Sequence, residues 1–187
     1  IHTDESWKYT LNGPIIFDSV HNGESYDAGE EMEGWTSPDF DDSNWEAAHQ
    51  ASGPKGEMVA QLMPPIRVID TLSPKNQWEI NDSTFMYDLG QNITGWANIK
   101  VKGPANARVK IRYGERIYPD STLDIKELSR FIWSGDTQTD RYYLKGDGAE
   151  SWHPIFTYQG FQYMEVTLSE PEIELLEINA AVLHTDL

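Results

Sequence analysis

Ala97-Asn98-Ile99-Lys100-Val101-Lys102, Gly103-Pro104-Ala105-Asn106 and Ala107-Arg108-Val109-Lys110-Ile111-Arg112-Tyr113 follow one another without a break. In the first and third pieces apolar and polar residues alternate, the period of a strand with one face buried and the other wet. The middle piece carries Gly and Pro between them. The three together are predicted to form an antiparallel hairpin.

Further strands are expected at Thr84–Leu89, Thr139–Leu144, Phe156–Thr157, Gln162–Leu168 and Leu175–Leu183, with breaks such as Lys145-Gly146-Asp147-Gly148 between them. Many short strands, polar turns and few helix signals predict an all-β fold, an antiparallel β-sandwich of jelly-roll type. The one helical candidate is a single turn at Asp42–His49, opened by an Asp or Ser cap. The first seventy residues are dense in Asp, Glu, Asn, Gly and Trp, with little periodicity, and read as loops. Pro64-Pro65-Ile66-Arg67-Val68 marks an extended junction, because proline restricts itself and its predecessor. No internal repeat or Pro/Gly/Ser-rich linker divides the chain, so residues 1–187 are expected to form one domain.

Lys and Arg number 14 against 31 Asp and Glu, a net charge of −17 that repels nucleic acid and anionic membranes. Neutral ligands, cations and basic partners remain open. The absence of cysteine excludes disulfides and thiolate metal sites, so stability must come from burial. No run approaches the roughly eighteen apolar residues of a membrane span. Ile1-His2-Thr3-Asp4 does not begin a basic region followed by an apolar run, so any signal peptide is expected on a longer parent chain. Seven Trp and nine Tyr can fill a core or stack on sugar rings.

Three motifs lie in fixed order: Asn22-Gly23-Glu24-Ser25-Tyr26-Asp27-Ala28, then Tyr87-Asp88-Leu89-Gly90-Gln91-Asn92 with Gly95-Trp96, then Phe156-Thr157-Tyr158-Gln159-Gly160-Phe161-Gln162-Tyr163. Thr3–Trp7, Gly34-Trp35, Pro38–Trp45, Arg112–Glu115 and Val182–Leu187 accompany them. The set resembles the non-catalytic β-sandwich that precedes the catalytic barrel in bacterial α-L-rhamnosidases of glycoside hydrolase family 78. The resemblance implies a module without the catalytic acid and base, packed beside the barrel of a parent enzyme; a secreted or periplasmic parent is compatible with it. It also implies kinship with carbohydrate-binding module family 67, which binds L-rhamnose with calcium. There the family carries Asp-Asn where this chain has His21-Asn22, so Asn22 is the remaining metal-ligand candidate and calcium binding is expected to weaken. Gly29, Gln159 and Gln162 replace the family's Arg, His and Arg, removing guanidinium donors.

The sugar-binding candidates are Asn22, Glu24, Tyr26, Asp27, Trp35 and Trp45. Carboxylates and amides bind adjacent hydroxyls, and an indole stacks on the apolar face of a pyranose. Against this, Asn22-Gly23 makes an ordinary turn, Glu24 or Asp27 can cap local amides, and either Trp can be a packing residue. Both readings stand at this point, leaving a rhamnose-binding module or a domain that only supports the catalytic barrel. Other chemistries are weaker. Asp39-x-Asp41-x-Ser43 starts like a calcium loop but has Asn44 and Gln50 where Gly and Glu are required. Glu24, Asp27, Glu115 and Asp140 supply carboxylates without any sign that two of them face each other across a glycosidic bond. The five histidines lack zinc spacing. The chain is not expected to be an enzyme by itself.

Overall fold

The computed structural model describes residues 4–53, 55–57, 59–130, 132 and 136–186; Thr3 and Leu187 of the family-like segments lie outside them. The fold is all-β. Its strands are β1 (Lys8–Tyr9), β2 (Ile15–Ser19), β3 (Gly23–Asp27), β4 (Glu46–Ala47), β5 (Ile66–Leu72), β6 (Asn76–Asn81), β7 (Thr84–Lys102), β8 (Arg108–Gly114), β9 (Thr139–Tyr143), β10 (Ala149–Trp152), β11 (Gln159–Leu168) and β12 (Glu174–Thr185). One short helix, α1, covers Lys126–Ser129. No helix among the described residues is long and apolar enough to cross a membrane.

Ten strands form one curled sheet in the order β2-β3-β9-β8-β11-β7-β12-β5, with β6 and β10 also pairing to β7. The remaining two, β1 and β4, pair with each other. Every pairing among the described residues is antiparallel except β3 with β9. The 19-residue β7 ties the sandwich together. Its first half lies between β6 and β11, and its second half pairs with β12 and β10. Strict alternation over Ile93–Lys102 puts Ile93, Ala97, Ile99 and Val101 inward, where they meet Val109, Ile111, Tyr113, Phe161, Met164 and Val166. Tyr113 and Phe161, both fully buried, meet at a ring separation of 4.7 Å. Gly95 is where β7 and β12 press together: a Cβ there would sit 1.8 Å from the Ala181 carbonyl oxygen.

Most strand expectations hold, and four local ones change. The first seventy residues are not loops throughout: β1 to β4 and the start of β5 lie in them, short or exposed strands whose polar residues hide the period of two. The predicted hairpin does not exist as a pair, because β11 lies between β7 and β8. The turn Gly103–Asn106 instead carries the chain across the sandwich, with Asn106 in the left-handed region at φ 64° and its N–H bonded to Leu144 O at 2.8 Å. Asp42–His49 is not helical: a turn closed by Trp45 N–H to Asp42 O (3.0 Å) leads into β4, which pairs with β1. Phe156–Thr157 lies in the loop before β11 rather than in a strand.

Candidate functional site

The first motif forms β3 and its two ends, and the fold uses its polar groups unevenly. Asn22 is buried; its Oδ1 accepts from Ser19 Oγ (3.0 Å) and its Nδ2 donates to the Asp136 carbonyl (2.9 Å). The backbone is bracketed as well, with Gln138 N–H on His21 O and Thr139 N–H on Asn22 O. Gly23 follows at φ 103°, where a Cβ would come within 2.3 Å of the Thr139 carbonyl oxygen. Only glycine fits such a position.

Glu24 has no exposed surface. Its Oε2 accepts the N–H groups of Ile155 (2.9 Å) and Phe156 (3.1 Å), some 130 residues away along the chain, while its buried Oε1 has no partner. Burial raises the carboxyl pKa, and the two amide donors pull it back only in part. Its backbone N–H donates to Asp140 Oδ1 at 2.8 Å, and Asp140 Oδ2 accepts from Tyr113 Oη at 2.7 Å. Asp140 is thereby sealed in the core, and burial lifts its pKa to about 6 against the two hydrogen bonds that favour the anion.

Tyr26 leaves this interior and faces a cleft. Its ring stacks on Tyr142 (6.0 Å) and meets Trp152 (6.1 Å), and its hydroxyl donates to Glu31 Oε1 at 2.9 Å. Partial burial and the neighbouring carboxylate push the phenol pKa up, so the hydroxyl stays protonated. Asp27 caps a 3-10 turn at Ala28–Glu30 through Gly29 N–H (2.9 Å). That turn redirects the chain toward Glu31, Glu33 and Trp35.

The cleft is open, about 1000 Å³ in volume, and its lining includes Tyr9, Tyr26, Glu31, Glu33, Trp35, Trp45, Lys145, Ile155 and Phe156. Trp35 is 59% exposed, whereas Trp45 is half-buried and packs edge-on to Phe40 at 5.7 Å. Lys8 bonds Asp42 at 2.7 Å, and Asp41 accepts from Ser43 N–H, so the acidic segment beside Trp45 is a hydrogen-bonded turn. Tyr26, Trp35 and Trp45 therefore converge on one cavity. Asn22, Glu24 and Asp27 do not line it; Glu24 instead holds the Ile155–Phe156 wall. The cleft also takes in Tyr9, Glu31 and Phe156, which were not among the sugar-binding candidates; Phe156, 67% exposed, opens the third motif.

The same geometry tests the calcium expectation. The Asn22 carbonyl already accepts from Ser19, His21 is exposed, and no three His, Cys, Asp or Glu side chains gather at one point among the described residues. These residues do not fit a hard cation that needs six or more oxygens. Gln162, at an altered family position, donates to Asp88 Oδ1 at 2.9 Å and so joins the second and third motifs across β7 and β11. Glu115 accepts from Asn92 Nδ2 at 2.9 Å.

The fold is thus an all-β sandwich with an aromatic cleft on its surface and a sealed acidic interior. Residues 1–70 match the family profile described as the alpha-L-rhamnosidase N-terminal domain, and residues 78–184 match that of the bacterial alpha-L-rhamnosidase concanavalin-like domain. The chain belongs to the bacterial α-L-rhamnosidase family, in its non-catalytic β region and not its catalytic barrel. An alpha-L-rhamnosidase of Streptomyces avermitilis is 36% identical over 186 residues, which is 99% of this chain and 18% of that protein. The solved alpha-L-rhamnosidase of Dictyoglumus thermophilum superposes with a TM-score of 0.90 at 41% identity, over all of this chain and 20% of the other. The Streptomyces avermitilis enzyme complexed with L-rhamnose gives 0.87 at 35% identity, over all of this chain and 18% of that one. This chain thus spans about a fifth of the length of these relatives. The two matched segments share the one ten-stranded sheet.

Proposed function

We propose that the chain is a carbohydrate-binding region of an α-L-rhamnosidase, which holds L-rhamnose or a rhamnose-containing glycan in the cleft of Tyr26, Trp35 and Trp45. The observation that carries this reading is the convergence of those three rings on one open cavity beside the Glu31 and Glu33 carboxylates. An exposed indole offers a face for the apolar side of a pyranose, and carboxylates accept from neighbouring hydroxyls. Rhamnose is the ligand of choice because a relative of the same fold was solved with it bound. With one stacking surface and few hydrogen bonds, Kd is on the order of 0.1–1 mM. Such weak binding is useful beside a catalytic barrel, where it raises local substrate concentration.

Calorimetric titration with L-rhamnose, in calcium and then in chelator, tests the reading. Saturable binding that survives chelation and is lost in Trp35→Ala or Trp45→Ala is expected. No heat at about ten times the proposed Kd, or binding unaffected in both variants, overturns it.

A second reading has its own observation. Val59, Leu62, Met63, Ile66, Val68 and Ile69 are all exposed along one segment and the edge strand it enters, an apolar surface suited to packing on the rest of a parent enzyme. The two roles use different residues and can coexist.

A further inference from the structure

On the outer face of the sandwich β10, β7 and β12 lie side by side. Their register sets Lys100 between Ser151 and Glu177, and Asn98 beside Asn179. The polar side chains there are not loose. Trp96 Nε1 donates to Asn98 Oδ1 (3.2 Å), Asn98 Nδ2 to Asn179 Oδ1 (2.7 Å), and Asn179 Nδ2 to Glu177 Oε1 (3.0 Å). Each amide receives a hydrogen bond at its oxygen and passes one on from its nitrogen, a head-to-tail chain in which every bond polarises the next. Beside it, His153 stacks on Trp96 at 5.3 Å with the planes 10° apart. A depression of about 190 Å³ lies over this grid.

The valences left over define the ligand. Each Asn retains one N–H and one carbonyl lone pair, and Glu177 retains its second oxygen. The side chains of Lys100 and Ser151 have no hydrogen-bond or ion-pair partner among the described residues. Donors and acceptors thus alternate at spacings near 3 Å on a pre-set frame, so little entropy is lost on binding. An anion is disfavoured by Glu177 and by the net charge of −17. A bare cation finds no cluster of three ligating side chains among the described residues, and an apolar ligand would leave both amides unpaired. Vicinal hydroxyls, each able to donate and accept, match.

We propose that this outer face is a second saccharide subsite, taking one neutral pyranose on the Asn98–Asn179–Glu177 amide chain beside the Trp96–His153 stack. It shares no lining residue with the cleft and does not depend on the cleft's function.

The test is an NMR titration of the ¹⁵N-labelled chain with L-rhamnose up to about 50 mM, a range set for a Kd on the order of 1–10 mM. Side-chain amide signals of Asn98 and Asn179 and the Trp96 indole N–H are expected to shift saturably. The double variant Asn98→Ala/Asn179→Ala is expected to lose the Trp96 response while the Trp45 indole still responds. Trp45→Ala is expected to keep the Trp96 response and to lose that of the Trp35 indole in the cleft, which separates failure of this subsite from failure of the cleft. Asn98 and Asn179 signals that stay put, a Trp96 response surviving the double variant, or equal shifts with glycerol at the same concentration would each overturn the proposal.

Discussion

Glu24 shows how one residue's direction changes its meaning. Read along the chain, a carboxylate after Asn-Gly looks like an exposed ligand. In the fold, Gly23, Glu24 and Ser25 are all buried, so β3 breaks the alternation that would have shown which way Glu24 points. Its two N–H partners lie in a loop that local patterning cannot place next to it. Glu24→Ala leaves both amides without their acceptor and is expected to cost about 1–3 kcal/mol in urea denaturation. Glu24→Gln keeps one acceptor oxygen, removes the charge buried at the unpartnered Oε1, and is expected to lie within about 1 kcal/mol of the parent. Equal losses in the two variants would contradict the anchoring role. Asp140 makes a pH prediction. Its folded pKa of about 6 lies above the ordinary value of 3.8, so the folded state binds its proton more tightly than the unfolded state does. Its contribution is therefore fully present below about pH 4 and is lost as pH rises through 6, a difference of about 3 kcal/mol at most. Stability curves of Asp140→Asn and the parent, taken from pH 4 to 7, are expected to diverge, the parent falling the more steeply. Parallel curves would mean that Asp140 does not titrate in this window.

At the scale of elements, what the sequence revealed follows from how local each cause is. The alternation in Ile99–Val101 and Val109–Tyr113 is a property of each strand alone, and both strands are where it places them. Pairing is a different matter. Short Gly-Pro spacers normally close hairpins, yet β11, arriving about fifty residues later, takes the place between β7 and β8. That outcome depends on the tertiary match of Val166 and Met164 to Ile111 and Tyr113, which no window on the sequence contains. β6 went unread and β5 was read only as an extended junction at Pro64–Val68; β5 is exposed along most of its length and so shows no burial period. The cleft was half legible, since aromatic residues announce themselves, while the carboxylates and backbone turn that shape it do not. The junction of β7 with β12 supplies the element-level prediction. Gly95→Ala drives a methyl into the backbone oxygen of Ala181, a contact that no side-chain rotation relieves. A loss of at least about 3 kcal/mol is expected, at the severe end for overpacking. Hydrogen exchange should show the loss first as faster exchange at Gly95–Lys102 and Ala180–Val182. A variant with unchanged denaturation midpoint and exchange would show that the strands separate freely there.

For the molecule as a whole, two features oppose each other: a net charge of −17 and an exposed apolar edge at Val59–Ile69. Repulsion among excess carboxylates keeps copies apart, and it also destabilises the compact state. β5 pairs on one side with β12 and presents its other edge without a strand among the described residues, the arrangement that invites edge-to-edge association. Salt acts on both at once, because the screening length falls from about 30 Å at 0.01 M to about 4 Å near 0.5 M. Raising NaCl across that range is expected to lift the urea midpoint, since intramolecular repulsion is relieved. It is also expected to promote self-association in sedimentation velocity, since the same repulsion no longer guards the apolar edge. The two effects separate by mutation. Ile66→Lys with Val68→Lys adds positive charge to exposed positions on the edge, and should abolish the association while leaving the salt-dependent rise in the urea midpoint in place. A chain that stays monomeric in high salt near its pI of about 4.5 would remove the edge as an interaction surface. Association that persists in the double-lysine variant would place that surface elsewhere on the sandwich, and the second reading of function would lose its support.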